Sequence, residues 1–102
     1  MKINTTLKAL SHPVRRDIIK RLREGPLSAG DIAASYGVSK PTMSAHFTTL
    51  KDAGLIYSER AGNHIIYYLE ASAAEEALTL LIDILGDAPQ TSKGGLTYAK
   101  DI

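Results

Sequence analysis

Between Ser28 and Gly54 the chain reads SAGDIAASYGVSKPTMSAHFTTLKDAG, and this stretch limits what the protein can fold into more than any other. The spacing predicts two short helices hinged at Tyr36-Gly37-Val38-Ser39. In the second, at about 100° per residue, Met43, Phe47 and Leu50 share one stripe and need a core to pack against. The opposite side carries Pro41, Ser44, Ala45 and Thr48, with Lys40 at the start and Lys51 one turn beyond Thr48. An ordinary solvated helix face collects Glu, Lys and Gln, which are good helix formers. Here small hydroxyl and methyl groups stand instead, with no acid before Asp52. Such a face is poor for solvation but lets a backbone approach a base-pair edge, where hydroxyls can donate or accept.

The ends of both helices are marked. Ser39 is placed to cap the second, and Pro41 fits its first turn, where backbone N–H groups lack partners inside the helix. Those N–H groups and the positive helix end suit a phosphate. Ser28 with Asp31 starts the first helix, Ile32 and Ala33 face inward, and Gly37 is expected in the left-handed conformation that ends it. Two helices joined by so tight a turn make a helix-turn-helix unit.

Directly afterwards, Leu55 to Arg60 and Ile65 to Leu69 are rich in Ile, Leu and Tyr and bracket Ala61-Gly62-Asn63-His64, a β-hairpin signal. A hairpin in that place makes the fold a winged helix: mainly α, with a β-hairpin wing. Arg60, Asn63 and His64 at the tip are candidates to reach a minor groove or phosphate. For His64 an exposed turn residue without a role is an equal reading.

Elsewhere the pattern is one of packing helices. Ile3, Leu7 and Leu10 are placed on one face of a short first helix. Pro13 opens a second, with Val14, Ile18, Ile19 and Leu22 on its apolar side and Gly25-Pro26 as its stop. Past the wing, Ala74, Leu78, Leu81, Ile82 and Leu85 recur at helical spacing, broadened by Leu80 and Ile84. A domain of 102 residues has a high surface fraction and can cover only part of such a face. The first and last helices are therefore candidates for a two-fold dimer interface, with packing inside one chain as the alternative. Residues 1–86 are expected to form one DNA-binding and dimerisation domain, and 87–102, where Gly, Pro, Ser, Thr and Lys mix with scattered apolar residues, a flexible tail.

The formal net charge of +1 is small for a nucleic-acid binder, but the charge is segregated. Lys2, Lys8, Arg15, Arg16, Lys20, Arg21 and Arg23 crowd the first quarter, while Glu70, Glu75, Glu76, Asp83 and Asp87 sit late. Phosphate attraction acts over about 8 Å at physiological salt, so the distribution matters more than the sum. Individually, Arg15 and Arg16 read equally as a solvated face or as ion-pair partners. The absence of cysteine excludes a disulfide framework and thiolate metal sites. No apolar run is long enough to span a bilayer, and the first residues are too polar for a secretory signal, so a cytoplasmic protein is expected. Ser39 and Ser44 lie near His46, but on one helix and without an orienting acid, so catalysis is not expected.

Taken together, LKALSHPVRRDIIKRLREGPLSAGDIA, VSKPTMSAHFTTLKDAGLI and the hairpin ending IIYYLE resemble the ArsR-type winged-helix repressors. The matching positions are His12-Pro13-Val14-Arg15, then Ser39, Ser44, His46, Leu50, Ala53, Gly54 and Leu55, with Phe47 where Leu is usual. The likeness runs from about Thr5 to Leu85. It implies a homodimer, built through the terminal helices, that binds an inverted-repeat DNA operator and represses transcription. By carry-over, Lys40, Pro41, Thr42, Ser44 and Ala45 face the major groove. His46, beside the apolar stripe, is expected to pack rather than to bind metal. Many members bind metal through a Cys-x-Cys pair where this chain has Ser28 and Gly30, and others through Asp and His on the last helix, which here has no histidine. No metal or other cofactor is therefore expected. What remains is similar to the cysteine-free autorepressor branch, in which a protein partner can relieve repression. Two alternatives stay open: a winged-helix protein-interaction module without specific DNA binding, and a repressor that answers to a small-molecule ligand.

Overall fold

The expected helix ends form where the side chains allow them. In a computed structural model that describes residues 3–86, the elements are α1 (Ile3–Ala9), α2 (Pro13–Leu22), β1 (Leu27–Ser28), α3 (Ala29–Ala33), α4 (Lys40–Asp52), β2 (Ile56–Ala61), β3 (His64–Leu69) and α5 (Ala71–Leu81). A π-helical turn, Ile82–Gly86, continues α5. Lys2 and the tail expected over 87–102 lie outside the described residues. The N–H of Val14 donates to His12 Nδ1 at 3.1 Å, capping α2 ahead of Pro13. Ser28 Oγ accepts from the Asp31 N–H at 3.0 Å and starts α3. Each bond satisfies an N–H that the first turn of a helix leaves open.

The core forms where α2, α3, α4 and the sheet converge. Ile18, Ile32 and Leu50 are its fully buried large side chains, with Met43, Phe47, Leu55, Ile56 and Tyr67 around them. The Phe47 ring stacks on Tyr67 at a centroid distance of 4.3 Å, joining α4 to the wing. Truncation of Leu50 to Ala is expected to cost about 2–5 kcal/mol of stability, because the cavity would open at the centre of this cluster. Urea unfolding of the variant and parent measures it.

Three sequence expectations change. Gly37 does not adopt the left-handed conformation; among the described residues the glycines with positive φ are Gly25, Gly54 and Gly62. α3 instead unwinds through short bonds, Ser35 N–H to Ile32 O at 3.1 Å and Tyr36 N–H to Ala33 O at 3.2 Å, so the reversal is spread over several residues. The left-handed glycine cap falls at the end of α4. There Gly54, at φ 75°, donates to Lys51 O, and Leu55 donates to Leu50 O. This two-bond cap buries Leu55 against Leu50 and aims the chain into β2.

The second change is a third strand. β2 and β3 form the expected hairpin, with Ala61 opposite His64 and Tyr57 opposite Tyr68. Gly62, at φ 63°, supplies the positive φ that a two-residue turn requires at its first position. β1 adds to the other edge of β3, pairing Leu27 with Tyr67 and Ser28 with Ile66, so the order is β1-β3-β2. The base of the wing is thereby anchored to the start of α3.

The terminal helices turn small residues inward. α1 buries Thr6 and Ala9, whereas Ile3 is half-buried and Leu7 exposed; Leu10 lies past the end of α1 and packs against the chain's own core. α5 buries Ala73 and leaves Ala74 exposed. Leu78, Leu81, Ile82, Ile84 and Leu85 are all exposed.

Candidate nucleic-acid interface

α4 presents the face that its periodicity requires. Met43, His46, Phe47 and Leu50 are buried, and Lys40, Pro41, Thr42, Ser44, Ala45 and Thr48 are exposed. Ser39 Oγ accepts from the Thr42 N–H at 3.2 Å and donates to Thr42 Oγ1 at 2.9 Å, which sets the orientation of both hydroxyls at the helix start. Thr49 Oγ1 donates back to Ala45 O at 2.9 Å, so this hydroxyl is taken up by the helix itself. Lys51 Nζ donates to Ser58 Oγ at 3.3 Å, strapping the C-terminal end of α4 to β2. The result is a helix held at both ends, with a low face of hydroxyls and methyls between.

The wing carries Arg60, Gly62, Asn63 and His64, all exposed. Arg60 and His64 sit on either side of the turn at the tip, Arg60 opposite Ile65 and His64 opposite Ala61.

The arginines before this unit have a structural task. Arg15 donates from Nε to Ala9 O at 2.7 Å and from Nη2 to Lys8 O at 3.1 Å. Arg16 Nη1 donates to Leu10 O at 2.8 Å. Both guanidinium groups thus sit at the carbonyl end of α1, where positive charge is favourable. Neither reading of Arg15 and Arg16, solvated face or ion-pair partner, describes these contacts: both side chains hold backbone carbonyls at the end of α1, Arg16 while remaining exposed.

A cluster of Tyr36, Asp17 and Arg21 holds the turn ahead of α4 and is not legible as such in the sequence. Tyr36, in the turn ahead of α4, donates its hydroxyl to Asp17 Oδ2, while the Arg21 guanidinium lies 5.8 Å from its ring centroid. Burial first, and then the Asp17 carboxylate, push the Tyr36 hydroxyl pKa up. The turn is so tied to α2. The only available signal was a tyrosine in a polar hinge, and its partner lies 19 residues earlier.

His46 packs as expected. It is 6% exposed, its ring centroid lies 4.4 Å from that of His12, and Arg15 Nη1 is 3.1 Å from its Nδ1. Burial, then His12, then Arg15, lower its pKa below the ordinary 6.5. The unfolded chain therefore takes up a proton here before the folded one does. The stabilising contribution is present above about pH 6.5 and is lost as pH falls through the lower folded-state value. Thermal unfolding is expected to show a loss of stability on acidification that His46→Gln diminishes.

A capped helix-turn-helix with a low polar face, followed by an anchored hairpin, defines a winged-helix DNA-binding regulator. The Helix-turn-helix domain family matches residues 10–59. Transcriptional repressor SdpR of Bacillus subtilis is 35% identical over 83 residues, covering 81% of this chain and 92% of that protein. The biofilm growth-associated repressor of Xylella fastidiosa is 31% identical over 83 residues, covering 81% of this chain and 73% of that one. Among solved structures, the transcriptional repressor BigR from Xylella fastidiosa matches with a TM-score of 0.62 at 34% identity, over 81% of this chain and 85% of that one. An ArsR family transcriptional regulator has the same fold, with a TM-score of 0.76 at 24% identity, over 81% of this chain and 91% of that one. The chain belongs to the ArsR-type winged helix-turn-helix repressors, and is a DNA-binding transcriptional regulator of that family.

Proposed function

We infer that the protein is a homodimeric repressor, or autorepressor, that places two copies of α4 in successive major grooves of an inverted-repeat operator. The observation that carries this reading is the unshielded apolar surface opposite the core. Leu78 is 60% exposed, Ile82 53%, Leu85 67% and, on α1, Leu7 47%. Contiguous apolar surface of this kind marks an interaction site on a chain this small. A second copy, related by a two-fold axis, would cover it with the same surface. Half-sites would then lie about 34 Å apart, one turn of DNA. In each protomer Lys40, Pro41, Thr42, Ser44, Ala45 and Thr48 meet the major groove, Ser39 orients the helix start, and Arg60, Asn63 and His64 reach the flanking backbone or minor groove.

The regulator works without metal sensing. At the positions where related sensors place cysteines, Ser28 uses its hydroxyl to cap α3 and Gly30 has no side chain. A place of action on cytoplasmic DNA is consistent with the absence, among the described residues, of any helix long and apolar enough to cross a membrane.

Fluorescence anisotropy on the protein's own promoter DNA, with unrelated DNA as competitor and with zinc or chelator added, tests this reading. Tight binding that resists competitor and ignores metal is expected. Log K should fall with log[salt] at about −0.9 per phosphate neutralised. A flat salt response, or equal affinity for any DNA, would overturn sequence-specific operator binding. Loss of binding on adding zinc would overturn the assignment as a regulator that does not sense metal.

A further inference from the structure

The Arg15–His46 contact lies beneath the interface, and the DNA-facing residues do not account for it. A guanidinium can only donate, so His46 Nδ1, 3.1 Å from Arg15 Nη1, accepts, and the proton of the neutral ring sits on Nε2. With its other nitrogens the same guanidinium holds Ala9 O and Lys8 O at the end of α1. Arg15 thereby joins three elements: α2, to which it belongs, the carbonyl end of α1, and the middle of α4. The charged or titratable groups acting on the His46 ring are His12, at the α2 cap, and Arg15. Towards this guanidinium α1 offers backbone carbonyls.

We propose that the Arg15–His46 pair is the positioning contact that seats the recognition helix against α1 and α2, and that only neutral His46 gives the operator-binding arrangement, so acidification weakens DNA binding. A second proton on the ring, at Nδ1, turns the acceptor into a donor facing a donor. It also sets an imidazolium beside a guanidinium in a site with little water. The ring or the guanidinium must then move. Ser44, Ala45 and Thr48 lie on the same two turns of helix as His46, so their placement in the groove changes with it. α1 is also part of the surface assigned above to the dimer, so the pair stands between that surface and the DNA face. The inference rests on the assignment of α4 as the helix that enters DNA.

The test is operator affinity at constant ionic strength between about pH 7.5 and about pH 5.5, for the parent and His46→Gln. Glutamine retains an acceptor oxygen for Arg15 and has no proton to gain. In the parent, affinity is expected to fall severalfold on acidification, and by less than about tenfold because the ring of the free protein titrates below the ordinary 6.5. His46→Gln is expected to bind within about twofold of the parent at the neutral end and to lose the acid sensitivity. A second measurement needs no variant: titration of the His46 ring by NMR in free and operator-bound protein. Because linkage is reciprocal, DNA that prefers the neutral ring must lower the pH at which the ring titrates. An unchanged or raised titration on DNA, the same acid loss in His46→Gln, or a parent indifferent to pH would each overturn the proposal. Binding at every pH without this dependence removes only the positioning role, whereas no binding at any pH removes operator recognition with it.

Discussion

Replacing Ser44 and Thr48 together by glutamate is expected to abolish specific operator binding while leaving the protein folded. Both residues are exposed on the side of α4 away from Met43, Phe47 and Leu50. Glutamate is at least as good a helix former as serine or threonine, so the helix itself is not weakened. In the groove, two carboxylates would face a surface lined by phosphates and base acceptors. Loss of the hydroxyl contacts, at about 1–3 kcal/mol for each well-made base contact, with repulsion added, predicts a fall in affinity of more than about 100-fold. Anisotropy reads the affinity, and circular dichroism with thermal unfolding confirms the fold. Unaltered DNA binding by this variant would move the interface away from α4.

Replacing Leu78 and Leu81 by glutamate is expected to give folded monomers that bind the operator far more weakly. These side chains are 60% and 38% exposed in the single chain, so new carboxylates there can reach water without disturbing the core. In the proposed two-fold dimer each would meet its own kind or a neighbouring apolar side chain, where an unpaired charge is costly. A monomer has one recognition helix in place of two. The loss of linked binding predicts a fall in affinity of about 10²–10⁴-fold. Sedimentation velocity gives the oligomeric state. A persisting dimer would place the interface on another surface.

The contrast between these variants and Leu50→Ala follows from where each residue sits. Leu50 supports the fold from inside, and its loss is read in unfolding. Ser44 and Leu78 are exposed, and under the proposed function their loss is read in DNA binding and in association. A single helix, α4, carries both kinds of residue on its two sides, which is why its amphipathic pattern is so informative.

Features set by neighbours within about four residues were legible in the sequence. Ser28 and Ser39 cap because a serine before a helix can reach an N–H two or three residues on. The stripe of Met43, Phe47 and Leu50 follows from the helical repeat, and the Gly62-Asn63 turn from its conformational demand. The tertiary structure alone decided the rest, because the partners lie far apart along the chain. β1 has two residues, too few to show any alternation, and it becomes a strand only because the edge of β3 is there to pair with it. Periodicity grouped Ile3, Leu7 and Leu10 on one face of α1, yet the chain turns Thr6 and Ala9 inward and takes Leu10 from beyond the helix end. The left-handed glycine belongs to Gly54 and not Gly37, since Leu55 must be folded back onto Leu50. Tyr36 meets Asp17 across 19 residues and Arg15 meets His46 across 31, and no local rule connects residues so separated. The sequence determined that this chain makes a helix suited to a DNA groove; the packed structure decided what holds that helix in place, because those contacts exist only once α1, α2 and α4 have come together.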